Sequence, residues 1–229
     1  MTRQILAKAG VGCRVVGSRQ YLIKGNQEFK GLKNFRVPSD YGLAAFWLAA
    51  GCLVASDMAL QGALKDDLVQ SDRHILAFLK RMGACFTKTD TAIKIRGPFA
   101  LNGGEFSLKT CPDLVPIMAV LALFARGRTK LKDIRHARTK ESDRISDLRR
   151  ELLKVGAQIS ESADSMVIDP CPDYKSGQTL DPHHDHRLAM AFAILGLKIG
   201  CKVKTIECSH KSYPAFVRDL KTLTLRAQN

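Results

Sequence analysis

"LKVGAQISESADSMVIDPCP", residues 153–172, decides the fold, because it reads as the end of a helix, a glycine stop and a hairpin, and it occurs three times. Its counterparts are "KRMGACFTKTDTAIKIRGP" at 80–98 and "AKAGVGCRVVGSRQYLIKGNQ" at 7–27. The pivot glycines, Gly10, Gly83 and Gly156, recur every 73 residues. Glycine suits that place because the residue after a helix commonly adopts a left-handed conformation. Alternating β-formers such as Ile93 and Ile95 around the polar turn "KTDT" supply the hairpin. A second register agrees: "SDYGLAAFWLAAG", "PDLVPIMAVLALFARG" and "HDHRLAMAFAILGLKIG" carry Asp40, Asp113 and Asp185, spaced by 73 and 72 residues. Each Asp reads as an N-cap before an apolar helix that is buried all round. Short strands, "DMALQGAL", "TKLKDI" and "CKVKTIE", fall between the two helices of each unit. The expected fold is therefore α/β (α+β), three βαβαββ repeats with the helices buried centrally and the sheets outside.

The 229 residues, 45% hydrophobic and 25% charged, are ordinary for a globular protein. No apolar run reaches the roughly 18 residues of a membrane span, and "MTRQILAKAG" lacks the apolar core of a secretory signal. Seven cysteines without C-x-x-C spacing fit reduced thiols and a cytoplasmic protein. A net charge of +14 points to an anionic partner. Nucleic acid, membrane phosphate and small phosphorylated metabolites all fit that charge; the basic residues form no run, and one Trp and four Tyr leave little for stacking bases, so composition stops at an anionic partner.

Chemistry stands out where one copy departs from the others. "ARTKESDRI", residues 137–145, leads into an amphipathic helix; on a helix running from Lys140, Lys140, Glu141 and Arg144 share the face of Ile145, Leu148 and Leu152. Two cations beside a carboxylate suit proton transfer next to a bound anion. "SDR" is shared by residues 71–73 and 142–144, so its role is expected to be structural, favouring the first helical turn. Asp113, preceded by "CP", reads equally as a cap or as a base. His186 and Arg187 follow Asp185 where the other copies carry no charge, and a helix N-terminus with an Arg suits an anion. "HHDH" at 183–186 has neither i, i+4 spacing nor a nearby cysteine pair, so no metal is expected. Lys211 precedes "SYP", a helix start with an early proline.

"PD" before an apolar helix, "R-x-K-E-S-D-R-I", "DHRLAM" and "KSYPAF", in this order, closely resemble the C-terminal half of the EPSP synthase family, 3-phosphoshikimate 1-carboxyvinyltransferase. The resemblance implies two similar three-unit domains and transfer of the enolpyruvyl group of phosphoenolpyruvate to the 5-hydroxyl of shikimate 3-phosphate, in chorismate and aromatic amino-acid biosynthesis. It implies no metal or organic cofactor. Asp113 matches the carboxylate that contacts the shikimate hydroxyls and accepts the hydroxyl proton, and Glu141 the acid that protonates the methylene carbon. Lys140 matches a lysine near the shikimate phosphate and the reacting centre. Arg144, Arg187 and Lys211, with His186 as a lesser ligand, match the group that holds phosphoenolpyruvate; His136 matches a contact to the shikimate phosphate.

The resemblance also implies that residues 1–36 are the last helix and hairpin of a preceding domain with its linker, and that 37–229 form the C-terminal domain. The expected partner is then the missing N-terminal half, without which the chain is inactive. The hairpin at 13–25 is expected to fold back onto the strand near Thr205 and complete the third unit. Two rivals are a basic RNA-binding protein of the RNA 3′-phosphate cyclase type, which needs a modified histidine in a motif absent here, and a non-catalytic fragment.

Overall fold

A computed structural model describes residues 1–18 and 20–226. The chain opens with α1 (Thr2–Lys8) and a hairpin of β1 (Cys13–Val16) and β2 (Gln20–Ile23). The first unit has α2 (Tyr41–Leu53), β3 (Ser56–Gln61), a 3-10 turn at Ser71–Arg73, α3 (His74–Arg81) and the hairpin β4 (Phe86–Lys88) and β5 (Ala92–Gly97). The second has β6 (Asn102–Ser107), a 3-10 turn at Pro112–Leu114, α4 (Val115–Leu123), β7 (Arg126–Lys132), a 3-10 turn at Arg135–Thr139, α5 (Arg144–Lys154), β8 (Gln158–Glu161) and β9 (Ser165–Asp169). The third has β10 (Thr179–Leu180), α6 (His186–Ile199), β11 (Lys202–Val203), a 3-10 turn at Ile206–Lys211 and α7 (Phe216–Arg226).

The repeat governs the pairing. β5 runs antiparallel on β3 and β9 antiparallel on β7, while β6 lies parallel to β7 and β10 parallel to β11. Gly83 and Gly156, at φ 96° and 86°, supply the left-handed stop between helix and hairpin. α2, α4 and α6 pack on one another, and every residue of α4 is buried, as expected of helices without a polar face. α3 and α5 are amphipathic and add Ile75, Leu79, Leu148 and Leu152 to the same core. The sheets cover it: Ile93 and Ile95 point inward while Lys94 and Arg96 face out.

Gly97 lets β5 approach α2, since a Cβ there would sit 1.9 Å from the Gly51 carbonyl oxygen. Backbone cannot yield as a side chain does. Gly97→Ala is expected to cost about 2–3 kcal/mol by overpacking, read as a lower urea midpoint at unchanged slope.

The hairpin does not complete the third unit. β1 and β2 pair only with each other, and β11 pairs with β10 alone among the described residues. Local bonds explain this: Gln27 Oε1 accepts from Gly12 N at 2.8 Å and Lys30 N donates to Ala9 O at 2.8 Å, so the hairpin stays beside α1. α1 in turn is tied to the loop before α3, where Val69 N donates to Gln4 Oε1 at 2.9 Å. The segment lacks a core: α1 has no buried residue, and Val15, Val16, Tyr21, Leu22, Ile23 and Phe29 are exposed. Among the described residues no helix is long and apolar enough to cross a membrane.

Candidate anion site

The beginnings of α4, α5 and α6 meet around one arginine. Arg144, the first residue of α5, is 1% exposed and has a carboxylate at each guanidinium nitrogen. Nε donates to Asp185 Oδ2 at 2.7 Å, Nη1 to Asp113 Oδ1 at 2.8 Å and Nη2 to Glu141 Oε2 at 2.9 Å. Arg187, in the first turn of α6, adds Nη2 to Asp113 Oδ2 at 3.0 Å. Lys140 Nζ lies 3.5 Å from Asp113 Oδ1, and Lys211 Nζ donates to Glu141 Oε1 at 3.0 Å. His186 Nδ1, 3.8 Å from Glu141 Oε1, is buried and has no hydrogen-bond partner among the described residues. Seven of the eight residues singled out in the sequence therefore form one cluster.

The eighth, His136, stands apart. Its ring Nε2 meets the Lys109 carbonyl at 3.0 Å, in a neighbouring cavity shared with Arg135, Thr139 and Asp164.

Lys140 and Glu141 are not on the helix, which corrects the shared-face reading. Asp143 caps α5, its Oδ1 accepting from Ile145 N and Ser146 N at 3.1 Å each, so the helix starts at Arg144. A cap residue is non-helical, and the chain before it is extended at Lys140. The two side chains therefore reach the cluster from a loop, while Arg144 enters from the first turn. Asp113 also departs from the capping pattern of its copies. Asp40 caps α2 by accepting from Gly42 N at 2.7 Å, and Asp185 caps α6 by accepting from Arg187 N at 2.8 Å. Asp113 instead lies within the 3-10 turn before α4, and its carboxylate faces Arg144, Arg187 and Lys140.

Burial would raise the Asp113 carboxyl, but Arg187, Arg144 and Lys140 together hold it below the ordinary range. At Glu141 burial is likewise outweighed, by Lys211, a backbone hydrogen bond, Arg144 and His186, and its pKa falls to about 2. Burial lowers His186, favouring a neutral ring. Four cations, Lys140, Arg144, Arg187 and Lys211, thus surround three carboxylates. Glu141, Asp185 and His186 place ligand atoms within 4.8 Å of one another, close enough for a metal ion. Arg144 already engages both carboxylates, and its charge beside them opposes a metal cation.

The "HHDH" tract splits. His183 Nε2 lies 3.3 Å from Glu151 Oε1 and His184 is exposed, so only Asp185 and His186 reach the cluster. Asp185 was legible only as a cap; its second role, pairing with buried Arg144, had no separate sequence signal.

A family model described as EPSP synthase (3-phosphoshikimate 1-carboxyvinyltransferase) matches residues 1–220. The 3-phosphoshikimate 1-carboxyvinyltransferase of Methanococcus maripaludis is 39% identical over 228 residues, covering 97% of this chain and 52% of the relative. That of Methanococcus aeolicus is 35% identical over 229 residues, covering 97% and 52%. The solved EPSP synthase of Acinetobacter baumannii superposes with a TM-score of 0.80 at 24% identity, over 97% of this chain and 54% of that one, which speaks for the fold. The chain spans about half the length of the curated relatives it matches. A match across nearly the whole sequence leaves one conclusion: the chain belongs to the EPSP synthase family.

Proposed function

We propose that this chain supplies one wall of a site that transfers the enolpyruvyl group of phosphoenolpyruvate to the 5-hydroxyl of shikimate 3-phosphate, releasing phosphate. The carrying observation is the convergence of Lys140, Arg144, Arg187 and Lys211 on Asp113 and Glu141. Arg144, Arg187 and Lys211 hold phosphoenolpyruvate, with His186 beside them. Asp113, Lys140 and His136 serve shikimate 3-phosphate, and ionised Asp113 is suited to accept the hydroxyl proton.

Glu141 has to deliver a proton, yet with Lys211 and Arg144 beside it burial is outweighed and its pKa falls to about 2. The resolution lies in exchange of partners. A phosphate that draws Lys211 and Arg144 toward itself removes the charges that hold Glu141 down, and burial then pushes its carboxyl toward the protonated form. Cation charge released from carboxylates in this way also offsets the charge of the incoming anion.

The other wall is assigned to an N-terminal half, the partner that completes a cytoplasmic enzyme. Residues 1–36 are read as the end of that half. The apolar surface of β1 and β2 supports this, since the equivalent hairpins lie on a strand of their own unit and this one has none among the described residues. Calorimetric titration of phosphoenolpyruvate and of shikimate 3-phosphate into the chain tests the reading. Each is expected to bind in the millimolar range, about −4 kcal/mol, and shikimate without its phosphate is expected to give no saturating heat. Equal binding of shikimate and its phosphate would refute an anion site.

A further inference from the structure

One acidic side chain of the cluster has no role in the scheme above. "SDR" occurs at 71–73 and at 142–144, and in the second copy Asp143 is spent on capping α5. Asp72 does not cap. The turn it belongs to begins after Gln70 and has no side-chain cap; Gln70 itself accepts from Tyr41 N at 3.2 Å and donates to Ser39 O at 2.9 Å. The Asp72 carboxylate is freed from backbone duty, and among the described residues no donor within hydrogen-bond range reaches it.

It points instead to the first turn of α2. A Cβ on Gly42 would lie 2.4 Å from Asp72 Oδ2 and 3.1 Å from Arg187 Nη1, so the acid and the guanidinium converge on a spot that only glycine leaves open. Arg187 Nη1 also approaches the Gly42 carbonyl at 3.5 Å. Asp72, Asp113, Asp40 and Arg187 line one cavity of about 330 Å³ together with Thr110 and Met1, the residue that carries the α-amino group. The charged groups facing Asp72 are Arg187 from α6, Asp113 from the turn before α4, Asp40 from the cap of α2 and Lys140 from the loop before α5. Burial, reinforced by Asp113 and Asp40 and opposed by Arg187 and Lys140, brings its carboxyl to about 6.

We infer that Asp72 is a proton-carrying ligand group of this site: as a neutral acid it donates its O–H to an oxygen of the anion that Arg187 holds, so that binding takes up one proton at this side chain. The inference rests on the anion reading of the cluster. An ionised Asp72 would repel an anion at Arg187, whereas the protonated form both removes that charge and supplies a donor. Asp113 cannot take the same part, because its cations keep it ionised. The proton comes from solvent and returns to it when the anion leaves; no covalent bond changes.

Sulfate is the suitable probe, since it stays a dianion between pH 5.5 and 8. Titration calorimetry in buffers of different ionisation heat is expected to show uptake approaching one proton per sulfate at the upper end of that range. Affinity is expected to fall by up to about tenfold per pH unit above the midpoint of the carboxyl. In Asp72→Asn, close to isosteric, sulfate still binds, the proton uptake disappears and the pH slope flattens. Gly42→Ala, whose methyl would displace the carboxylate, is expected to flatten the slope as well. Proton uptake and slope unchanged in Asp72→Asn would overturn the inference and assign the proton to another group such as His186. Loss of sulfate at both pH extremes in Asp72→Asn would also overturn it, making Asp72 a support for Arg187 only. No sulfate binding by the unaltered chain would instead defeat the anion reading itself.

Discussion

Arg144→Met is expected to destabilise the protein by about 3–5 kcal/mol, the range for breaking a buried ion pair from one side. The size follows from what is left behind. Asp185 is 0% exposed, and although its Oδ1 still caps α6, its Oδ2 loses the Arg144 Nε contact at 2.7 Å. Asp113 and Glu141 lose a shared cation as well, although Arg187, Lys140 and Lys211 still attend them. Urea unfolding followed by circular dichroism reads the effect. Arg144→Lys is expected to fall in between, because an ammonium cannot present separate N–H groups to three carboxylates. If Arg144→Met unfolds at the parental midpoint, the cluster does not help to hold the α5 and α6 starts together.

Arg187→Ala and Lys211→Ala are expected to leave the fold largely intact and to weaken phosphoenolpyruvate binding, each by about 10- to 100-fold, as loss of a charge-assisted contact implies. Lys211 is well exposed, at 59% of its side-chain surface, so its removal should hardly register in stability. Arg187 is more enclosed, yet it is not needed to satisfy Asp185. Lys204→Ala is the control: its ammonium is engaged by Asp181 at 3.4 Å, away from Arg144, and binding should not change. Raising salt should weaken binding in the parent more than in either variant, since surface charge is screened. A parent-like affinity in both variants would leave the cluster as an internal ion-pair network without a ligand.

The repeat was legible because it rests on local rules that tertiary packing does not override. A left-handed glycine after a helix, alternation in a hairpin and a helix without a polar face each point the same way in every copy. Gly83, Gly156 and α4 are where those rules act. The cluster was legible through its exceptions, since His186, Arg187 and the "RTKE" run break a pattern that the other copies keep. Less accessible was the local geometry around those exceptions. Asp143 and Lys140 both fit a helical start, and the wheel drawn from Lys140 ignored that a cap forces the preceding chain out of the helix. Asp113 was ambiguous because a cap and a paired carboxylate look alike in sequence; a 3-10 turn of three residues separates them. Asp72 could not be seen at all. Its motif is identical to that of Asp143, and its different fate is set by the approach of α2 at Gly42, a contact between segments thirty residues apart. The hairpin failed for a related reason: an open edge near Thr205 invited a partner, but the bonds of Gln27 and Lys30 keep residues 13–23 with α1.

Complementation tests the central claim most directly. The chain is co-produced with a separate N-terminal half from the Methanococcus maripaludis relative, and enolpyruvyl transfer from phosphoenolpyruvate to shikimate 3-phosphate is followed by phosphate release. The account predicts no release by the chain alone, release by the pair, and none by the pair carrying Glu141→Gln. Turnover by the chain alone at the rate of the pair, or a pair indifferent to Glu141, would contradict it.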